Sequence, residues 1–115
     1  MANTGRVDKR LFENDHYLGK PAADDDRIVT RRIEIMEQYP DFFNPGLSCI
    51  EAGCGEGATI TRVAGRFAKT LGVDIYDYFE AFKRQIQQYN ARNCAFRLMD
   101  LENKLPDEQF DRLIS

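Results

Sequence analysis

The sequence predicts an α/β fold built on a doubly wound, mostly parallel sheet with helices on both faces. Short apolar segments alternate with segments of helical periodicity along most of the chain, as in sheets whose parallel strands are joined by right-handed helical crossovers. A second observation is the stretch IEAGCGEGATI at residues 50–60, which places three glycines between two apolar segments. Such a stretch is typical of the turn between the first strand and the first helix of these sheets.

The composition is that of one small globular domain. The chain has 115 residues, of which 43% are hydrophobic and 30% charged, and its formal net charge is -3. This charge does not favour nucleic acid or an anionic membrane as a partner, and no apolar run approaches the length of a membrane span. The chain has Cys49, Cys54 and Cys94 but a single histidine and no metal-type cluster. We therefore expect reduced thiols in a cytoplasmic protein.

The N-terminal part of the chain is predicted to contain an irregular segment and one helix. Residues 1–23 include the breakers Gly5, Gly19 and Pro21. Because no apolar run follows the charges of MANTGRVDKR, we do not expect this segment to act as a secretory signal. Residues 24–39 have apolar residues on one helical face, and three aspartates at its start provide a cap and favourable charge. Pro40 and the NPG that follows should end this helix. We therefore divide the chain into residues 1–23 and a domain at residues 24–115.

Four strands are predicted in that domain. LSCIEA at residues 47–52 is mostly apolar and suits a buried strand. KTLGVDI at residues 69–75 and NCAFRLMD at residues 93–100 are the second and third strands, and FDRLIS at residues 110–115 begins the fourth.

Two amphipathic helices are predicted between the first three strands. The first follows the glycines and has one apolar stripe, formed by Ile60, Val63, Ala64 and Phe67. The second has Asp77 as a candidate N-cap, and its apolar stripe is formed by Phe79, Phe82, Ile86 and Tyr89.

Glycines and acidic residues are predicted to form one ligand cleft at the carboxyl edge of this sheet. Gly53, Gly55 and Gly57 allow a tight turn and let a ligand approach the backbone, and the next helix presents unpaired N–H groups. Asp74 ends the second strand and Asp100 ends the third, so both acids lie on the same edge if the strands are parallel. A carboxylate at the position of Asp74 can accept hydrogen bonds from a ribose diol. The cleft therefore suits a nucleotide-like ligand.

The glycines fit two patterns. GCGEGA fits G-x-G-x-x-A, the dinucleotide fingerprint, and GCGEG preceded by an acid fits a G-x-G-x-G loop. With the second pattern the sequence resembles the class I S-adenosylmethionine-dependent methyltransferases, whose fold is Rossmann-like. IEAGCGEG is similar to their first motif, GVDIY and LMDLE to the ends of their second and third strands, and FDRLIS to their fourth strand. The resemblance covers residues 25–115.

Two details favour a methyl donor over a dinucleotide. Glu51 stands two positions before Gly53, where a carboxylate would repel the two negative charges of a pyrophosphate. The resemblance also accounts for Asp100, which would face the adenine amino group. Two alternatives stay open, namely an NAD-binding oxidoreductase domain and a non-catalytic module that keeps the methyltransferase fold.

The resemblance implies that the glycine loop holds the methionine end of S-adenosylmethionine. Gly53, Cys54, Gly55 and Gly57 would border the methionine part and the ribose. Glu51 would lie near the methionine amino group.

The resemblance implies that the next two strand ends hold the nucleoside. Asp74 would bind the ribose hydroxyls, Ile75 would lie beside the adenine, and Asp100 and Leu101 would bracket the adenine edge. The reaction would be direct transfer of the sulfonium methyl group, in which alignment contributes more than any strong catalytic residue. The sequence identifies neither a catalytic residue nor the acceptor, which could be a small molecule or a macromolecule.

The resembled fold has seven strands, of which four can be placed in this chain. We therefore expect the chain to be the N-terminal part of such an enzyme and to be inactive alone. FDRLIS would then form a sheet edge with unpaired backbone groups, and such edges pair readily with another chain. We expect self-association through the fourth strand.

Overall fold

The computed structural model describes residues 26–115, which form a four-stranded parallel sheet with three helices. The strand order is β3-β2-β1-β4. The elements, in chain order, are α1 (Asp26–Glu37), β1 (Asn44–Ala52), α2 (Ala58–Val63), β2 (Phe67–Asp74), α3 (Phe79–Tyr89), β3 (Cys94–Leu98) and β4 (Arg112–Ile114). This architecture confirms the predicted α/β class. The predicted irregular segment and the aspartates at positions 24 and 25 lie outside the described residues.

The strand register lines up alternate residues on the same side of the sheet. Glu51 of β1 is paired with Gly72 of β2 and with Ile114 of β4, and Gly72 is paired with Phe96 of β3. Because side chains alternate along a strand, these four residues form one row on one face. This row faces the helices, since Phe96 and Ile114 belong to the helix-side core.

The main core lies between the sheet and all three helices. It contains residues of α1, α2 and α3 packed on strand residues, among them Ile33, Ile60, Val63, Phe82, Cys49, Cys94 and Ile114. The opposite face has a smaller cluster, Ile50, Leu71 and Val73, which packs against Met99, Leu101 and Phe110. We expected helices on both faces; in residues 26–115 the helices cover one face, and non-helical segments around β3 and β4 contact the other.

Two element boundaries differ from the predictions. The NPG at residues 44–46, predicted as a helix terminator, is the start of β1. Phe67, predicted as the last position of a helical stripe, is the first residue of β2, because residues 64–66 tighten into a 3₁₀ turn. Its side chain still packs in the helix-side core, so its burial was predicted correctly although its conformation was not.

The start of α3 is close to the prediction. Tyr78 is the N-cap residue, but the carboxylate of the predicted cap, Asp77, accepts a hydrogen bond from the backbone N–H of Phe79 at 3.0 Å. An acidic side chain therefore satisfies one of the free N–H groups at this helix start. None of the helices within residues 26–115 is long and apolar enough to span a membrane.

Candidate functional site

The loop between β1 and α2 is a sequence of tight turns at the carboxyl edge of the sheet. Gly53, Gly55 and Gly57 have φ angles of 69°, 56° and 86°, in the left-handed region that favours glycine. The backbone N–H groups of Gly53 and Cys54 both donate to the carbonyl of Val73, at 2.9 and 3.0 Å. The turn predicted from the glycines is present, and it is anchored to the end of β2.

The glycines of this loop differ in what surrounds them. A Cβ at Gly53 or Gly55 would meet no other atom within 4 Å, whereas a Cβ at Gly57 would lie 2.5 Å from the ring of Phe82. Gly57 is therefore required by packing against α3. The open part of the loop is residues 53–55, where a ligand can approach the backbone.

Asp74 connects the glycine loop to the end of β2. Its Oδ2 accepts a hydrogen bond from the backbone N–H of Gly55 at 2.9 Å, and its Oδ1 accepts one from the N–H of Tyr76 at 3.0 Å. A carboxylate has about four lone-pair positions, so these two bonds leave free acceptor positions on Asp74, which is 8% exposed. Ile75 follows directly and is partly buried. Of the predicted site residues, Asp74 and the glycine loop are thus in direct contact.

The end of β3 is brought to the same edge, where it forms its own turn. The backbone N–H of Met99 donates to the carbonyl of Asp74 at 2.8 Å. The oxygens of Asp100 accept hydrogen bonds from the N–H of Glu102 at 3.1 Å and from the amide of Asn103 at 2.7 Å. Leu101 packs in the smaller apolar cluster. Asp100 and Leu101 therefore share the edge with Asp74, without a hydrogen bond to the glycine loop within the described part of the chain.

Glu51 lies beneath the loop rather than on its surface. It is 1% exposed, and its Oε2 accepts a hydrogen bond from Nη2 of Arg32 in α1 at 3.1 Å. Burial raises the pKa of Glu51 to about 7, although the Arg32 guanidinium acts in the opposite direction. Oε1 has no hydrogen-bond partner among residues 26–115. Glu51, the acid that precedes the glycines, thus forms an ion pair with α1.

Sequence reasoning missed Arg32. Its Nη1 also donates to Oγ1 of Thr59 in α2, at 3.0 Å. The sequence held a signal for this residue. Arg32 lies beside Val29, Ile33 and Met36 on the apolar side of α1, and a buried cation requires a hydrogen-bond or ion-pair partner.

Two tyrosines, Tyr76 and Tyr78, follow Asp74 closely in the sequence. Burial and the nearby charges of Asp74 and Glu56 raise the pKa of Tyr78, with Tyr76 also close to it. The Tyr78 phenol therefore stays protonated at neutral pH, where it can donate a hydrogen bond.

Cys54 fills space under the loop. Its side chain is buried, and burial raises the pKa of its thiol, helped by the charges of Glu51 and Asp74. A thiol held neutral in this way is not a nucleophile. Within residues 26–115 there is no cluster of histidine, cysteine or acidic side chains that could hold a metal ion.

A glycine loop that is held by an acid at the end of the next parallel strand defines a Rossmann-like, nucleotide-binding class of protein. Residues 50–115 match the family described as "Methyltransferase domain". Because the match covers more than half of the chain, the chain belongs to this methyltransferase family, as the motifs implied. No curated protein matches the chain.

Solved structures with this fold include three methyltransferases. Coclaurine N-methyltransferase bound to N-methylheliamine and SAH has a TM-score of 0.60 and 23% identity, over 70% of this chain and 25% of that chain. N-methyltransferase NodS from Bradyrhizobium japonicum WM9, in complex with S-adenosyl-L-homocysteine, has a TM-score of 0.58 and 19% identity, over 96% and 55%. Geranyl diphosphate C-methyltransferase from Streptomyces coelicolor A3(2), in complex with Mg²⁺, geranyl diphosphate and S-adenosyl-L-homocysteine, has a TM-score of 0.55 and 20% identity, over 86% and 39%. The chain spans 25% to 55% of these proteins, and the likeness shows a shared fold.

Proposed function

We propose that this chain forms the S-adenosylmethionine-binding part of a methyltransferase, with an acceptor that stays unidentified. The observation that carries the proposal is the contact between Asp74 and Gly55. It places a carboxylate with spare acceptor positions directly beside an open glycine turn. Membership of the methyltransferase family supports the proposal, as does the S-adenosylhomocysteine in the three neighbouring structures.

The described residues fit this cofactor. The backbone at Gly53 and Gly55 is open to an approaching ligand, and would border the methionine part and the ribose. Asp74 would accept hydrogen bonds from the ribose hydroxyls. The bound cofactor would supply an electrophilic methyl group on its sulfonium. The role of this part of the chain is then to bind and orient that group.

Three further assignments belong to the proposal. Ile75 would lie beside the adenine, and Asp100 and Leu101 would bracket its edge, because all three follow strand ends at the same edge of the sheet. Glu51, which is buried beneath the loop, would attract the positively charged methionine amino group through its carboxylate.

A cytoplasmic location also belongs to the proposal. The three cysteines are free thiols in buried positions, as is usual in a reducing compartment.

The first test is a calorimetric titration of the chain with S-adenosylhomocysteine and, separately, with NAD. We expect binding of S-adenosylhomocysteine and weaker or no binding of NAD, because the chain belongs to a methyltransferase family. Tighter binding of NAD would favour the oxidoreductase alternative. Binding of the methyl donor by the whole protein, without transfer to any acceptor tried, would favour the non-catalytic module.

A further inference from the structure

We propose that Arg32 is a positioning residue of the cofactor site, because it ties α1 to both sides of the glycine loop through Glu51 and Thr59. This inference rests on the proposed function, since it concerns how the same loop is held ready for its ligand. Arg32 lies outside residues 50–115, which match the family.

The hydrogen bonds from Arg32 to Glu51 and Thr59 form a bridge across the glycine loop. Glu51 precedes Gly53 by two positions, and Thr59 follows Gly57 by two positions. One guanidinium nitrogen of Arg32 donates to Glu51 Oε2 at 3.1 Å and the other to Thr59 Oγ1 at 3.0 Å. Because a guanidinium holds its donors in a rigid planar fork, a single side chain of α1 fixes the separation of the two ends of the loop.

The surroundings of this bridge largely exclude water. Glu51 and Thr59 are 1% and 2% exposed, and the Arg32 side chain is 31% exposed. Charge-assisted hydrogen bonds are stronger where water is excluded. Loss of Arg32 would therefore leave a buried carboxylate without its ion-pair partner.

The bridge also makes cofactor binding sensitive to pH. Burial raises the pKa of Glu51 to about 7; Asp74 adds to this effect, and Arg32 with the backbone N–H of Ile60 opposes it. Three neighbouring thiols stay neutral over this range because burial raises their pKa values, namely Cys49, Cys54 and Cys94. When Glu51 takes up a proton, its ion pair with Arg32 becomes a weaker hydrogen bond, and the loop loses part of its support.

The test is calorimetric titration of the full chain and its variants with S-adenosylhomocysteine. At about pH 8 we expect Arg32→Met and Thr59→Val each to raise the Kd about tenfold, the usual effect of losing a charge-assisted hydrogen bond. Thr59→Val keeps the ion pair with Glu51, so this variant tests the bridge even where Arg32→Met fails to fold. Arg31→Met is the matched control, because it removes an exposed ion pair with Glu34 in the same helix and should leave the Kd unchanged.

A pH profile separates positioning from a general effect on stability. In the wild-type chain we expect the Kd to rise several-fold as the pH falls through about 7. In Glu51→Gln, which keeps an acceptor but cannot titrate, the Kd should not change over this range. Glu51→Gln also corrects for any titration of the ligand itself.

The outcomes are distinguishable. Tighter binding by Arg32→Met would mean that Arg32 opposes ligand binding instead of supporting the loop, and would overturn the positioning role. A folded Thr59→Val with the wild-type Kd, or identical pH profiles for the wild type and Glu51→Gln, would overturn it as well while leaving the proposed function intact. Failure of the wild-type chain to bind S-adenosylhomocysteine would overturn the proposed function and this inference together.

Discussion

At the scale of single residues, the site depends on carboxylates that also stabilise the fold. Asp74 holds the glycine loop through the N–H of Gly55 and the start of the next turn through the N–H of Tyr76. A residue with such a double role is difficult to test by one substitution, because a loss of binding could follow from a displaced loop. A ligand that lacks one hydroxyl separates the two roles.

We expect Asp74→Ala to weaken binding of S-adenosylhomocysteine by about 1–3 kcal/mol, since a charged acceptor is lost. With an analogue that lacks a ribose hydroxyl, the same substitution should cost clearly less, because part of the interaction is already missing. Calorimetry on both proteins with both ligands measures this difference. Asp77→Ala, which removes an exposed acid at the start of α3, is the control. If Asp74→Ala lowers the binding free energy of the two ligands equally, Asp74 only holds the loop and does not bind the ribose.

Glu51 should give the stability of the chain a specific pH dependence. Its pKa rises from 4.5 to about 7 on burial in the folded state, so the folded state binds the proton more tightly than the unfolded state does. Protonated Glu51 therefore stabilises the folded state fully below pH 4.5, and this stabilisation is lost as the pH rises through about 7.

The Glu51→Gln variant has no titrating group at this position. As the pH rises from 4.5 to above 7, its free energy of unfolding should therefore increase relative to that of the wild type, by on the order of 3 kcal/mol. Urea denaturation at several pH values measures the difference. Glu37→Gln removes an acid from an exposed pair with Arg66 and should change the difference by less than about 1 kcal/mol. A constant difference for Glu51→Gln would contradict the assignment.

The residues that could be predicted are those whose role follows from position along a strand. Asp74 and Asp100 were predicted at one edge because parallel strands end together. Asp74 is paired with Leu98, the last residue of β3, and Asp100 follows two positions later, so it lies just beyond the strand that it was predicted to end. The hydrogen bonds of Arg32 could not be predicted, because their acceptors, Glu51 and Thr59, lie 19 and 27 positions further along the chain. Periodicity reports which face of a helix is buried but not what that face meets.

At the scale of elements, the ring of Phe82 packs α3 closely against two glycines, one in the loop before α2 and one in β2. Phe82 is fully buried, and its ring occupies the space that a Cβ would take at Gly57 and at Gly72 of β2. The sequence indicated an apolar stripe on α3, but it gave no reason for Gly72, because a close approach between elements has no local signal. The same limit explains the start of β1. The NPG at residues 44–46 was predicted only to end the preceding helix, but Asn44 is paired with Phe67 of β2.

We expect Gly72→Ala to destabilise the chain by about 1–3 kcal/mol through overpacking. Its Cβ would lie 2.6 Å from the Phe82 ring and 2.9 Å from the sulfur of Cys54, both of which are buried. Gly65→Ala is the matched control, because a Cβ there would meet nothing within 4 Å. Thermal denaturation of both variants provides the comparison. A Gly72→Ala chain as stable as the wild type would show that Phe82 can move aside.

At the scale of the whole molecule, the sheet within residues 26–115 has an unpaired edge at β4 and a partly covered face. β4 pairs with β1 on one side, and Leu113 at this edge is 61% exposed. Beside it, between β4 and α1, lies an apolar groove of about 290 Å³ lined in part by Ile35, Met36 and Phe42. The two charged residues of this strand region are already engaged, since Asp111 accepts hydrogen bonds from Ser48 and Arg112 donates to the carbonyl of Asp41. They therefore protect the edge less than free charges would.

We therefore expect a polypeptide of these 115 residues to self-associate through β4, most simply as a two-fold dimer. Sedimentation velocity or light scattering over a concentration series measures the association. Leu113→Lys places a charge on the exposed edge and should weaken the dimer at least about tenfold, since edge charges oppose strand pairing. Leu105→Lys introduces the same charge at another exposed leucine, in the loop before β4, and should leave the association unchanged. A monomer at every concentration would contradict the edge argument, and equal effects of the two substitutions would place the contact elsewhere.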